Sequence, residues 1–216
     1  MNVVLLGPPG AGKGTQAVRI ARVFSLRHLS SGDILRGERK AKTELGRQAH
    51  DYMDRGVLVP DDLILRMMME HIGQADAAGG FLLDGFPRTL AQARGLDERL
   101  ERQHRKIDVT VNMEVDSAEV IRRLSGRWSC PQDGATYHEV FSPPKQAGVC
   151  DACGAALARR PDDEPDVVSQ RLRTYHEETV PLVAYYRERG ILETVSAAGA
   201  VDEVTAAVEG VCRKRQ

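Results

Sequence analysis

Gly7-Pro8-Pro9-Gly10-Ala11-Gly12-Lys13-Gly14-Thr15 is the stretch whose reading decides the fold. The apolar run Val3-Val4-Leu5-Leu6 precedes it directly, and a helix-compatible segment, Gln16 to Phe24, follows. Strand, glycine-rich turn and helix in that order are the setting of a phosphate-binding loop. The glycines let successive backbone N–H groups turn toward an anion, and the helix N-terminus adds unpaired N–H groups and the positive end of its dipole. Lys13 supplies a mobile cation for the outer phosphates. Position 14 departs from the general pattern G-x4-G-K-[S/T]: it is Gly, and the hydroxyl arrives one residue later, at Thr15.

Outward from this loop, five short segments are rich in Val, Ile and Leu: Asn2–Leu6, Arg27–Leu29, Phe81–Asp84, Asp108–Val115 and Ile191–Val195. Helical patterns separate them, which predicts an α/β fold with a largely parallel sheet. Ligands of such folds sit beyond the carboxyl ends of the strands, where Gly7–Thr15 and the segment after Asp84 both fall. A chain of 216 residues can build one sizeable core with small inserts. Hydrophobic content of 42%, charged content of 28% and a net charge of -1 suit a soluble protein without a nucleic-acid partner. No apolar run approaches spanning length and no secretory leader pattern is read at the N-terminus, so the expectation is a cytoplasmic chain with no membrane partner.

Two regions interrupt the alternation. Residues 30–59 read as a small helical insert opening at Ser30-Ser31-Gly32-Asp33, with Ser31 or Ser30 as N-cap of a helix over Asp33–Lys40. Residues 127–163 hold clustered cysteines, prolines and the β-like run Thr136-Tyr137-His138-Glu139-Val140-Phe141, and read as a mini-domain of short strands. The expected division is a core of 1–29, 60–126 and 164–216, plus these two inserts. A long helix then carries Val168, Leu172, Tyr175, Thr179, Leu182, Val183 and Tyr186 at spacings of three and four, and Pro181 predicts a kink or break within it.

Asp84 ends the apolar strand Phe81-Leu82-Leu83 beside the phosphate loop, a place from which a carboxylate can organise Mg2+ through water. Gly85-Phe86-Pro87-Arg88 then sets an arginine at the rim of the same cleft. Phosphoryl transfer needs positioning and positive charge around the moving group more than covalent chemistry.

Taken together, Gly7–Thr15, Ser30-Ser31-Gly32-Asp33 and Asp84-Gly85-Phe86-Pro87-Arg88-Thr89 resemble the adenylate kinase family in its long form, with an enlarged lid. The resemblance continues through Gly126-Arg127, Tyr137-His138, Phe141-Ser142-Pro143-Pro144-Lys145, Arg160-Pro161-Asp162-Asp163 and Arg171-Leu172. Gly14 agrees with it, because the family carries Gly-Lys-Gly-Thr. The resemblance implies a P-loop nucleoside-phosphate kinase core with a five-stranded parallel sheet, a helical AMP-binding insert and a small β lid with a metal knuckle. It implies transfer of the γ-phosphoryl of Mg-ATP to AMP, giving two ADP, by a monomer.

Carried over by position, it implies that Gly10, Ala11, Gly12, Lys13, Gly14, Thr15, Arg123, Arg127, Thr136, Tyr137 and a backbone carbonyl at Gly199 meet ATP. Ser31, Arg36, Val57, Leu58, Val59, Gly85, Phe86, Pro87, Arg88, Gln92, Arg160 and Arg171 are implied to meet AMP. Lys13, Arg88, Arg127, Arg160 and Arg171 are implied to be catalytic, with Asp162 and Asp163 orienting the lid arginines, and Asp84 and Asp33 are expected on the water shell of Mg2+. Ser31 stands where many relatives have Thr, and the familiar Gly-Thr-Lys-Pro near the C-terminus is replaced by Ala197-Ala198-Gly199-Ala200. A kinase for UMP or CMP is the nearest rival, against which the long lid argues. A zinc-ribbon nucleic-acid module fused to an ATPase is another, and the near-balanced charge of 127–163 argues against that.

Cys130-Pro131-Gln132-Asp133 and Cys150-Asp151-Ala152-Cys153 have paired-knuckle spacing with sixteen residues between them. Three thiolates and a carboxylate can close a tetrahedral structural site for zinc, or for iron or cobalt, with His138 as rival fourth ligand. A mini-domain this small cannot build enough core alone, and a metal can supply the missing folding energy.

Overall fold

The computed structural model describes residues 1–74 and 79–215; positions 75–78 and 216 of the expected core segments lie outside the described residues. β1 (Asn2–Leu6), β2 (Arg27–Ser30), β3 (Phe81–Asp84), β4 (Val109–Glu114) and β7 (Leu192–Ser196) form one five-stranded sheet in the order β2-β3-β1-β4-β7. Every pairing in it is parallel. Side chains alternate across a strand. Val4 and Leu6 of β1 therefore enter one apolar cluster, and Val3 and Leu5 enter another on the opposite face.

Helices cover both faces. α1 (Lys13–Val23) and α9 (Val201–Arg213) bury Ala17, Ile20, Val204, Val208 and Cys212 on the Val3 side. α4 (Asp61–Ile72), α5 (Leu90–Glu101) and α8 (Pro181–Glu188) bury Ile64, Met68, Ala93, Leu96, Leu182 and Tyr186 on the other. Among the described residues no helix is long and apolar enough to cross a membrane.

Between β2 and α4 lie α2 (Ser31–Lys40) and α3 (Glu44–Asp54). Ser30 is the N-cap of α2, its hydroxyl accepting from the Asp33 N–H at 3.2 Å, while Ser31 is already helical. Between α6 (Ser117–Ser125) and α7 (Pro165–Thr174) the chain makes a two-stranded antiparallel ribbon, β5 (Arg127–Ser129) with β6 (Thr136–His138). The β-like run stops at His138, short of Phe141. The His138 ring accepts from the N–H groups of Val140 and Phe141, and the chain reverses to pair His138 with Ser142.

The helix around Pro181 is interrupted by a π turn over Tyr175–Thr179, in which the Val180 N–H reaches back to the Tyr175 carbonyl at 3.0 Å. Proline has no N–H to donate and its ring crowds the carbonyl four residues back, and the wider turn relieves both problems.

Candidate active site

The parallel register assembles the site. Leu5 pairs with Asp84, and Asp84 pairs with Ser30. The phosphate loop, the Asp84–Arg88 loop and the start of α2 therefore leave the same edge of three adjacent strands. Gly10 and Gly12 hold φ of +79° and +87°, the left-handed region that glycine adopts without strain. Gly12 caps α1, so the loop amides and the N-terminus of that helix face one space.

Lys13 Nζ donates to the carbonyls of Gly7 and Pro8 at 2.7 and 2.8 Å. Desolvation in the cleft lowers its pKa to about 8; Asp84 opposes the shift, while Arg88, Arg171 and Arg127 add to it. A Cβ on residue 14 would stand 3.4 Å from Asp84 Oδ2, so a larger residue would point at the carboxylate expected to organise the cation. Asp84 itself is only 9% exposed, and His28 Nε2 lies 3.6 Å from its Oδ2.

Two contiguous clefts open here. One is lined by Pro9, Lys13, Pro87, Thr174 and Tyr175, among others. The second is lined by Ser31, Arg36, Val57, Val59, Gln92 and Asp162. Gly56, Leu58, Gly85, Arg88 and Arg171 belong to both and form their common wall. Desolvation, then Arg171, lowers the pKa of Arg88 to about 10, and desolvation with Arg36 does the same for Arg160. These shifts record burial first and the gathering of cations second.

Carboxylates hold the cations in place. Arg127 forms a two-point pair with Asp163, with Nε 2.7 Å from Oδ2. Arg171 donates to the Asp162 carbonyl at 2.8 Å and pairs with its carboxylate at 2.9 Å. Burial tends to raise the pKa of Asp162, but Arg171 and Arg127 outweigh it and the net shift is downward. Arg36 pairs with Asp33 at 2.5 Å.

Several expected residues also have protein partners. Phe86 is fully buried among the core side chains under the cleft, because the loop that carries Arg88 needs an apolar anchor. Ser31 lines the cleft but donates its hydroxyl to the Gly85 carbonyl at 2.6 Å. The Tyr137 hydroxyl accepts from the Asp151 N–H at 2.8 Å and touches Cys150 Sγ, so it braces the cysteine knuckle. Thr136 accepts from Arg160 at 3.2 Å. Arg123 pairs with Glu119 at 2.7 Å, and Arg122 and Arg123 together hold the Glu119 carboxyl at about 2. At Gly199 the loop is held from the next residue, whose N–H donates to Glu203 Oε2 at 3.0 Å.

Sequence reasoning did not single out Met53, Ile64, Asp61 or Thr179 for the site. Met53 and Ile64 line the second cleft, and Asp61 accepts from Thr89 and Gln92 at 3.1 and 2.7 Å. The S/T-x-x-Q pattern at Thr89-Leu90-Ala91-Gln92 is a capping signal that could have drawn attention to this corner.

In the lid, one donor atom from each of Cys130, Asp133, Cys150 and Cys153 lies within 4.8 Å of all the others. Zinc–sulfur bonds of about 2.3 Å put tetrahedral donors about 3.8 Å apart. Cys130 and Cys153 sulfurs are 3.4 Å apart and Cys150 Sγ is 3.2 Å from Asp133 Oδ2, so the donor set fits such an ion. The two knuckles share one backbone pattern. Gly134 N–H bonds the Cys130 carbonyl and Cys130 N–H the Ala135 carbonyl, and Gly154, Cys150 and Ala155 repeat it. His138 is outside the cluster, its Nδ1 occupied by the turn that follows it.

A phosphate loop, a carboxylate on the adjacent strand and arginines on a wall common to two clefts define a P-loop nucleotide phosphotransferase. A family model described as adenylate kinase matches residues 5–191. Adenylate kinases of Agathobacter rectalis (48% identical, 98% of this chain, 99% of the relative) and Carboxydothermus hydrogenoformans (47%, 99% and 100%) are among its relatives. That of Streptomyces coelicolor is 46% identical over 95% of each chain. The chain belongs to the adenylate kinase family.

Proposed function

We propose that this chain transfers the γ-phosphoryl group of Mg-ATP reversibly to AMP, giving two ADP. The observation that carries the reading is the wall of Gly85, Arg88 and Arg171 common to the two clefts, with Lys13 facing it from the phosphate loop. Two phosphate-bearing ligands can meet there with cations at the meeting point. The acceptor is already an ionised phosphate, so no general base is needed. The chemical task is to neutralise charge and exclude water.

In this reading the loop Gly10–Thr15 cradles the donor phosphates, and Arg123, Arg127, Thr136 and the Gly199 carbonyl complete the donor side. Arg36 and Arg88 grip the acceptor phosphate, with Ser31, Val57, Leu58, Val59 and Gln92 around its nucleoside. Arg160 and Arg171 serve the transferring group, and Asp162 and Asp163 keep the lid arginines aimed. Mg2+ bound with ATP would supply further neutralisation. Its water shell is assigned to Asp84 and Asp33, oxygen ligands of the kind the ion prefers, and Asp33 also pairs with Arg36.

Residues 30–59 and 127–163 are assigned as the AMP-binding insert and the lid, closing over the 1–29, 60–126 and 164–216 core. A bond from Lys40 to the Pro131 carbonyl, 3.3 Å, joins the two inserts. The lid cluster is assigned to structural zinc, with iron and cobalt as chemically allowed occupants. We assign the protein to the cytoplasm as a monomer.

Coupled assays with ATP and each of AMP, UMP, CMP and GMP test the reaction. AMP should be the best acceptor by orders of magnitude; highest turnover with UMP or CMP would overturn the assignment.

A further inference from the structure

We infer that Thr179, on the π turn before Pro181, is a positioning residue for Arg88. The inference rests on the reading that Arg88 grips the acceptor phosphate, and extends it to the element that holds Arg88 still.

The Thr179 hydroxyl donates to the Arg88 carbonyl at 2.9 Å, across a separation of 91 residues. A helical threonine ordinarily bonds back to the carbonyl of its own preceding turn; this one reaches a different loop. Thr179 is 7% exposed and lies in the lining of the cleft that holds Lys13. On its other side the Arg88 peptide is held by Gln92, which accepts from the Arg88 N–H at 2.7 Å. Both ends of one peptide segment are thus tied down, and the guanidinium Nε is held to the Gly85 carbonyl at 2.7 Å.

The last residue of α7 makes a matching tie. Thr174 donates to the Gly56 carbonyl at 3.3 Å. Gly56 and Arg88 both belong to the wall common to the two clefts. Threonine hydroxyls bracketing the π turn therefore staple it to the two loops that build this wall. The extra residue of a π turn shifts the face a side chain presents, and here it gives Thr179 its reach to Arg88.

Thr179→Val keeps the shape and removes the hydroxyl. It should lower kcat roughly tenfold, the size of one buried hydrogen bond. It should also raise KM for AMP, leave KM for ATP near the parent value and change Tm by only a few degrees. Thr179→Ser should restore turnover. Parent-like kcat and KM for AMP in Thr179→Val would overturn the inference. So would equal losses in the Val and Ser variants, or a parallel rise in both KM values, which a merely structural role produces. If the Val variant does not fold, Thr179→Cys supplies the same comparison. Arg88→Ala is the separate control: if it leaves AMP use untouched, the acceptor-site reading fails. If Arg88→Ala is impaired while Thr179→Val is not, only the positioning role fails.

Discussion

Arg127 and Asp163 face each other across the neck of the lid in a two-point ion pair, and Asp163 retains only 4% side-chain exposure. The pair joins β5, where the lid leaves the core, to the turn at Pro161–Asp163, where it returns. Arg171 approaches the same carboxylate at 3.4 Å. One buried anion therefore holds two cations. Removing one partner of a buried pair typically costs about 3–5 kcal/mol. Asp163→Ala should lower Tm by several degrees and kcat by at least tenfold, measured by calorimetry and steady-state kinetics. Parent-like turnover would show that lid arginines are aimed by other means.

Asp162 gives this region an acid limit. Its folded pKa lies below the ordinary value of about 3.9, because Arg171 and Arg127 outweigh the effect of burial. The stability it contributes is therefore fully present above about pH 4 and is lost as pH falls through the depressed folded value. Asp162→Asn should flatten the acid limb of a Tm-against-pH curve while leaving its neutral region less changed. An unaltered acid limb would refute the linkage.

Lys13 predicts a proton uptake. Its pKa of about 8, set first by desolvation, leaves the amine partly neutral above pH 8. Phosphate oxygens beside the amine favour the ammonium form, so ATP binding at about pH 8.5 should take up a fraction of a proton, and less at pH 7. Titration calorimetry in two buffers of different ionisation heat reads this directly. Lys13→Met should abolish the uptake and lower kcat by orders of magnitude with the fold intact.

The lid cluster predicts metal-dependent stability. Asp133→Ala and Cys153→Ala should each release metal on dialysis and lower Tm, since binding energy at such a site is folding energy. His138→Ala should keep the metal, because the His138 ring is engaged in its own turn. Elemental analysis beside melting curves checks all three. Metal loss in the His138 variant with retention in the Asp133 variant would exchange the two ligand assignments.

Much of the fold was legible because its signals are local. The apolar runs and the helix after Gly12 depend on neighbours within a few residues and appear where patterning put them, and the cap, open between Ser31 and Ser30 in the sequence, falls at Ser30. Pro181 was legible as an interruption, since its missing N–H acts at one place in the chain. The π geometry was not, because proline also permits a kink or a simple stop. The run through Phe141 read as one strand because β propensity cannot see His138 capturing the next two amides. Tyr137 and Phe86 were assigned to nucleotides by matched position, and their side chains point to the knuckle and the core.

The sequence by itself determined a phosphate loop at the end of a buried strand, an α/β core and three clustered cysteines, with Asp133 and His138 as rival fourth donors. These follow from spacing, periodicity and residue chemistry, which need no partner distant in the chain. Only the tertiary structure decided which arginines share a wall, that Asp163 pairs with Arg127 across the neck, and that Thr179 reaches Arg88. Those contacts join residues dozens of positions apart. They exist because the parallel order β2-β3-β1 brings three loops to one edge and the π turn packs back over them.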